Sequence, residues 1–235
     1  MQHVRTQRAD FERMRTEIEQ LKGLHRGTVS IAASQALAFA LFPDLMRQFR
    51  KSHPGVAFSV RICDRAAVVE ALRDFDADLG VVYNPEPAAD LTTLLEVEQR
   101  LCAVMDQNHP LARADSVKMR DCLRYPLALP EGGLGGRALL EGFFARSSLK
   151  PDVVLESNSF EMLRNFVRAS DAITFQVQVG TALDGARDGV TARYIDERSM
   201  ARRPLAVVQL KGRHLPLPAM RFLKALRGAL EPVKA

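Results

Sequence analysis

Two short polar clusters carry the first chemical hint in this 235-residue chain. Ser34 with Gln35 follows one apolar run, and Ser157, Asn158 and Ser159 follow another, each just ahead of an amphipathic stretch. A serine or asparagine there caps a helix by accepting a backbone N–H, and the N–H groups left over favour an anion. Two such helix starts facing one crevice predict a small organic acid as ligand. Capping alone is the plainer role, and the two are compatible. Asp64 and Arg65 follow the second predicted strand, and Tyr83 and Asn84 follow the third. All four are expected at the rim of the crevice, although a solvated loop explains Asp64 and Arg65 equally well.

Other suggestive patterns lead nowhere. Glu131, Gly132, Gly133, Leu134, Gly135, Gly136 and Arg137 imitate a phosphate loop but lack its Gly-Lys-Ser/Thr ending and the dinucleotide glycine spacing. A turn that lets a ligand approach the backbone fits better, with Gly132, Gly133 and Gly136 as contacts. Asp74, Asp76 and Asp78 resemble the start of a calcium loop, but Leu79 and Pro85 stand where glycine and glutamate belong. His3, His25, His53, His109 and His214 are isolated, and His109 before Pro110 reads as a solvent-exposed turn residue. No nucleophile, base and orienting partner assemble, so neither an enzyme, a metal nor a cofactor is expected. Cys63, Cys102 and Cys122 lie far apart in apolar stretches and read as reduced, structural thiols.

These residues need a scaffold, and periodicity supplies one. Val4, Phe11 and Ile18 recur by sevens, with Met14 and Leu21 on the second seam position. This N-terminal helix reads as a dimerisation seam or as an amphipathic helix lying on its own core. Gly23 and Gly27 then break it. Strands are expected over 28–33, 56–62 and 79–83, with helices over 35–51, interrupted by Pro43, and 66–75. Alternation with short connections implies parallel strands. Two strands, 91–96 and 100–105, follow without a helix between them. A second series has strands 127–129, 153–156 and 172–175 with helices 137–146 and 159–169. After a polar stretch come a strand over 205–210 and a helix over 218–230. Two lobes joined by extended strands would leave a cleft beyond the strand ends.

Net charge is +5, with basic residues scattered except near Arg5, Arg8, Arg13 and Arg15 and near Arg198, Arg202 and Arg203. That is a weak nucleic-acid signal. No run reaches the roughly 18 apolar residues of a membrane helix, and the first residues are too charged for a signal peptide.

The order of pieces resembles the effector-binding domain of LysR-type transcriptional regulators. Gly27 to Ser34, then Leu41, Phe42 and Pro43, then Phe49 through Val56 resemble its opening. Val68 to Leu72 with Ala77 to Val82, Tyr125 to Pro130, and Asn158 to Leu163 follow in the family's order. Asn108, His109, Pro110, Leu111 and Ala112 give the sharpest local match. Departures occur at Phe75 and Asp76, at Ser170, Asp171 and Ala172, and at Gln176, which stands where the family usually has proline.

The resemblance implies an α/β fold of two Rossmann-like lobes in a periplasmic-binding-protein-like (type 2) arrangement, preceded by a linker helix. Residues 1–26 would form the helix, 27–99 with 206–235 lobe I, and 100–205 lobe II. It implies a cytoplasmic homodimer or homotetramer sensing a small-molecule effector through Ser34, Gln35, Asp64, Arg65, Tyr83, Asn84, Gly132, Gly133, Gly136, Asn158, Ser159 and Phe175. The resemblance implies that DNA is reached only through a winged helix-turn-helix ahead of the linker helix in which Met1 is expected to lie, and that no membrane is involved. The alternative is a solute-binding protein of a transport system; an enzyme on the same scaffold is a third class.

Overall fold

A computed structural model describes residues 26–132, 134, 136–148, 150–181, 188–196 and 202–230. Val4, Phe11, Met14, Ile18 and Leu21, with Gly133, lie outside the described residues. In chain order the elements are β1 (Gly27–Ala33), a 3-10 turn (Gln35–Leu37), α1 (Leu41–Ser52), β2 (Val56–Ile62), α2 (Arg65–Arg73), β3 (Leu79–Tyr83), β4 (Leu91–Gln99) and β5 (Leu101–Asp106). Then follow a 3-10 turn (Pro110–Arg113), β6 (Ser116–Val117), α3 (Met119–Cys122), β7 (Leu127–Pro130), α4 (Arg137–Phe144) and β8 (Val153–Ser157). The last are α5 (Phe160–Val167), β9 (Ile173–Val177), a 3-10 turn (Gln178–Gly180), β10 (Val190–Ile195), β11 (Arg203–Leu210) and α6 (Leu217–Leu230).

The described chain divides into two compact units. Unit 1 holds residues 26–34, 41–97 and 204–230; unit 2 holds 35–40 and 98–203. Unit 1 is built on a five-stranded sheet in the order β2-β1-β3-β11-β4. β1 pairs in parallel with β2 on one side and β3 on the other, and β11 joins β3 antiparallel. Every residue of β3 is buried, as a central strand covered on both faces requires. On one face α2 packs Val68, Ala71 and Leu72 against Ala32, Val82, Ala206 and Val208. A Cβ on Gly80 would stand 2.9 Å from Leu72 and 3.0 Å from Val68, so glycine lets α2 approach β3 closely. On the other face Phe222 of α6 meets Phe49 of α1 and Phe58 of β2 edge-on at 5.4 and 4.9 Å.

Two buried charges lock this unit's sheet. Asp78 and Arg213, only 9 % and 10 % exposed, pair at 2.8 Å. Asp78 also accepts the Ser30 N–H, and Arg213 donates to the Ala77 carbonyl. Among the described residues no group of three or more metal-ligating side chains converges.

Unit 2 carries a six-stranded sheet in the order β6-β10-β5-β9-β7-β8, with parallel pairing at β7-β8, β7-β9 and β6-β10 and antiparallel pairing of β5 with β9 and β10. α5 buries Phe160, Leu163 and Val167 against Cys102, Val104 and Ala128.

Two predicted elements differ. The helix expected over 35–51 begins only at Leu41, because a helix running through Pro43 would press its ring on the Phe39 carbonyl. Residues 35–37 form a separate turn that belongs to unit 2. The polar stretch before the last strand contains β10, whose Arg193 side chain bonds the Ala114 and Ala112 carbonyls. Among the described residues no helix is long and apolar enough to cross a membrane.

Candidate functional site

The strand ends of unit 1 bring Ser34, Arg65, Tyr83 and Asn84 together. Ser34 does not cap a helix as expected: its hydroxyl accepts the Tyr83 N–H at 3.4 Å, and its own N–H donates to Val81 at 2.9 Å. These bonds tie the end of β1 to the end of β3. Asp64 is the N-cap of α2, accepting the Ala67 N–H at 2.9 Å, and remains exposed. Arg65 donates to the Asn84 carbonyl at 2.9 Å and pairs with Glu86 at 2.7 Å. Asn84 takes a left-handed backbone, φ +48°, and its N–H bonds Pro204. Asparagine is among the few residues that adopt that conformation readily.

In unit 2 the cluster ahead of α5 behaves as its sequence suggests. Ser159 is the N-cap and accepts the Met162 N–H at 3.2 Å. Ser157 accepts the Ser159 N–H at 3.1 Å, and Asn158 is exposed. The first N–H of the helix is also taken. Phe160 donates to Gln35 Oε1 at 2.7 Å, across 125 residues of sequence. The expectation of two similar helix starts is thus corrected: a three-residue 3-10 turn follows Ser34, and the one regular helix start, at α5, is covered by Gln35.

The glycine-rich loop leads into α4. Gly136 has φ +93° at the helix N-cap, and a Cβ there would lie 2.8 Å from Leu101. Gly132 is exposed. Arg137 anchors the loop through the Pro130 carbonyl, Glu156 and Glu141. Phe175 is fully buried within β9.

Beneath α5 the sheet holds polar groups that the sequence reading did not single out as site residues. Thr174 and Gln176 lie two apart on β9, paired with Val104 and Cys102, which belong to the core under α5. They are 3 % and 2 % exposed, yet Thr174 Oγ1 and Gln176 Nε2 have no hydrogen-bond partner. Arg164, on α5, donates to Gln176 Oε1 at 3.4 Å and to the Gly180 carbonyl at 3.3 Å. Its guanidinium lies 3.3 Å from the Phe39 ring centroid. The usable signal was Gln176 itself, a large polar residue in an otherwise apolar strand.

His109 is corrected too. It is 3 % exposed, stacked edge-on against Tyr125, accepting the Leu111 N–H through Nδ1 and donating from Nε2 to the Asp171 carbonyl. Burial pushes its pKa down, partly opposed by Asp171 and Asp106. Burial likewise pushes the Cys102 and Cys122 thiols up to about 12. Buried thiols of this kind are structural.

The model of the LysR substrate binding domain matches residues 22–231. The transcriptional activator CmpR of Synechocystis is 25 % identical over 216 residues, which span 92 % of this chain and 70 % of CmpR. HinK, a LysR family transcriptional regulator from Pseudomonas aeruginosa, superposes with a TM-score of 0.68 at 25 % identity, covering 93 % of this chain and 76 % of its own. The effector binding domain of QuiR, solved with shikimate, superposes with a TM-score of 0.65 at 21 % identity, covering 87 % of this chain and 96 % of its own. The two α/β units therefore have the type 2 periplasmic-binding-protein-like fold of these regulators' sensory regions, and the chain belongs to the LysR substrate-binding domain family.

Proposed function

We propose that the chain senses a small organic acid and passes the signal to transcription within a LysR-type regulator, acting as a binding domain and not as an enzyme. The proposed effector contacts are Ser34, Gln35, Asp64, Arg65, Tyr83, Asn84, Gly132, Gly133, Gly136, Asn158, Ser159 and Phe175. The observation that carries the choice of an acid is the polar N-terminus of α5, where Ser159 caps the helix and Gln35 already holds an acceptor oxygen on Phe160. Helix N-termini favour negative charge. The heptad of Val4, Phe11, Met14, Ile18 and Leu21 supports a homodimer or homotetramer. DNA contact would belong to a separate winged helix-turn-helix, and the place of action would be the cytoplasm. The matched relatives are regulators, which speaks against the transport reading.

A thermal-shift panel of shikimate, dicarboxylic acids and neutral polyols tests this. A ligand at 100 times its Kd should stabilise the fold by about 2.7 kcal/mol. Stabilisation by at least one acid is expected; stabilisation by neutral compounds alone would sink the acid reading.

A further inference from the structure

Two loops of unit 2 are stitched together past the end of α5: the one that leaves β5 and the one that leads into β9. Asp106 accepts the Ala169 N–H at 2.7 Å, and His109 Nε2 meets the Asp171 carbonyl at 3.2 Å. Ala169 has a left-handed backbone, φ +58°, which a residue with a Cβ adopts at a cost, so the Asp106 bond holds it there. His109 also caps the 3-10 turn Pro110–Arg113, which leads into β6 at the edge of the sheet.

The bonding fixes where the His109 hydrogen sits. The Leu111 N–H, 3.1 Å from Nδ1, can only donate, and the Asp171 carbonyl can only accept. Nδ1 is therefore bare and Nε2 carries the hydrogen. A proton added to Nδ1 would point at the Leu111 N–H, donor against donor, while the bond from Nε2 to Asp171 could persist. The groups facing the ring are Asp106 from the end of β5, Asp171 from the loop ahead of β9, and Tyr125 from the turn ahead of β7. The far end of the 3-10 turn is held independently, by Arg193 of β10 on the Ala112 and Ala114 carbonyls.

We infer that His109 is a proton-operated latch: Nδ1 holds the Leu111 N–H at neutral pH and, on taking a proton, releases the start of the Pro110–Arg113 turn. The release is local. The Asn108 and Ala169 N–H groups hold the Asp106 carboxyl below the usual range, so it stays charged where the histidine takes its proton. Asp106 thus keeps Ala169 in place while the turn opens. None of the residues proposed to contact the effector belongs to the latch, so acidity reaches unit 2 by a route of its own.

The test is NMR of the full 15N-labelled chain between pH 7.5 and pH 5.0, with Leu111 and Ala169 amide exchange measured against their intrinsic rates. With an ordinary pKa of about 6.5 in the open turn and no proton on the closed ring, opening rises roughly thirtyfold over that interval. Leu111 protection should fall by that factor, and Ala169 protection should hold. The imidazole signals should show Nδ1 bare at pH 7.5 and protonated as Leu111 opens. His109→Asn sets an oxygen where Nδ1 stands and carries no titrating proton, so its Leu111 protection should stay level. Should that variant not fold, the wild-type imidazole and Leu111 signals decide alone. Level Leu111 protection while the ring takes its proton would overturn the inference, as would a ring that stays neutral down to pH 5.0. Equal losses at Leu111 and Ala169 would also overturn it, because the whole region would then be loosening. A matching fall in His109→Asn would assign the change to another group.

Discussion

In unit 1 hydrogen bonds and ion pairs tie the strand ends together: Ser34 accepts the Tyr83 N–H, Asp64 the Ala67 N–H, Arg65 bonds Asn84 and Glu86, and the buried Asp78 pairs with Arg213. In unit 2 two polar side chains of β9 are buried just as deeply, yet Thr174 Oγ1 and Gln176 Nε2 go unmatched. Satisfied buried polar networks rigidify a core, whereas unsatisfied ones store a cost that another acceptor relieves. The contrast sets bonds that hold the strand ends of unit 1 in place against two buried β9 groups of unit 2 that lack a bonding partner.

The contrast breaks most visibly at the buried ion pair. Arg213→Ala removes the ion-pair partner of the buried Asp78, so urea denaturation should show a loss of about 3–5 kcal/mol. A loss below 1 kcal/mol would mean that the pair is not a clamp. Ser34→Ala removes one long bond between β1 and β3 and should cost about 0.5–1 kcal/mol. Gln176→Leu should cost nothing or stabilise, since it removes an unpartnered donor of similar bulk. Equal losses at Ser34 and Gln176 would erase the difference between the units.

The smallest effect is expected with pH. The folded chain holds the His109 imidazole neutral, with its pKa pushed below the ordinary value of about 6.5 by burial. The unfolded chain therefore binds that proton more readily. The stability due to the neutral ring is fully present above pH 6.5 and is lost as pH falls through the lower folded value. Urea midpoints at pH 7.5 and pH 5.0 should differ more for wild type than for His109→Gln. An identical difference would show that His109 does not titrate between the two states.

Much of the scaffold was legible from local pattern. Residues 28–33 and 56–62 alternate as strands, and the fully apolar run 79–83 is the central β3. The Ser159 cap was legible because a cap is a local event. The Gln35–Phe160 bond was not, because its partners are 125 residues apart and only folding brings them together. Ser34 misled for the same reason: its acceptor role is spent on Tyr83, 49 residues away. His109 looked exposed beside Pro110, but the Asp171 carbonyl and the Tyr125 ring, both distant in sequence, enclose it. β10 was hidden by Thr191 and Arg193, whose polar groups bond each other and neighbouring carbonyls. Its register against β5 decides the assignment.

The most direct test is a crystal structure of the chain with the acid that stabilises it most. The account predicts an acidic group of the ligand at the N-terminus of α5, with an oxygen about 2.7–3.0 Å from a polar atom of Gln35, Asn158 or Ser159. A bound acid that touches none of these residues would contradict it.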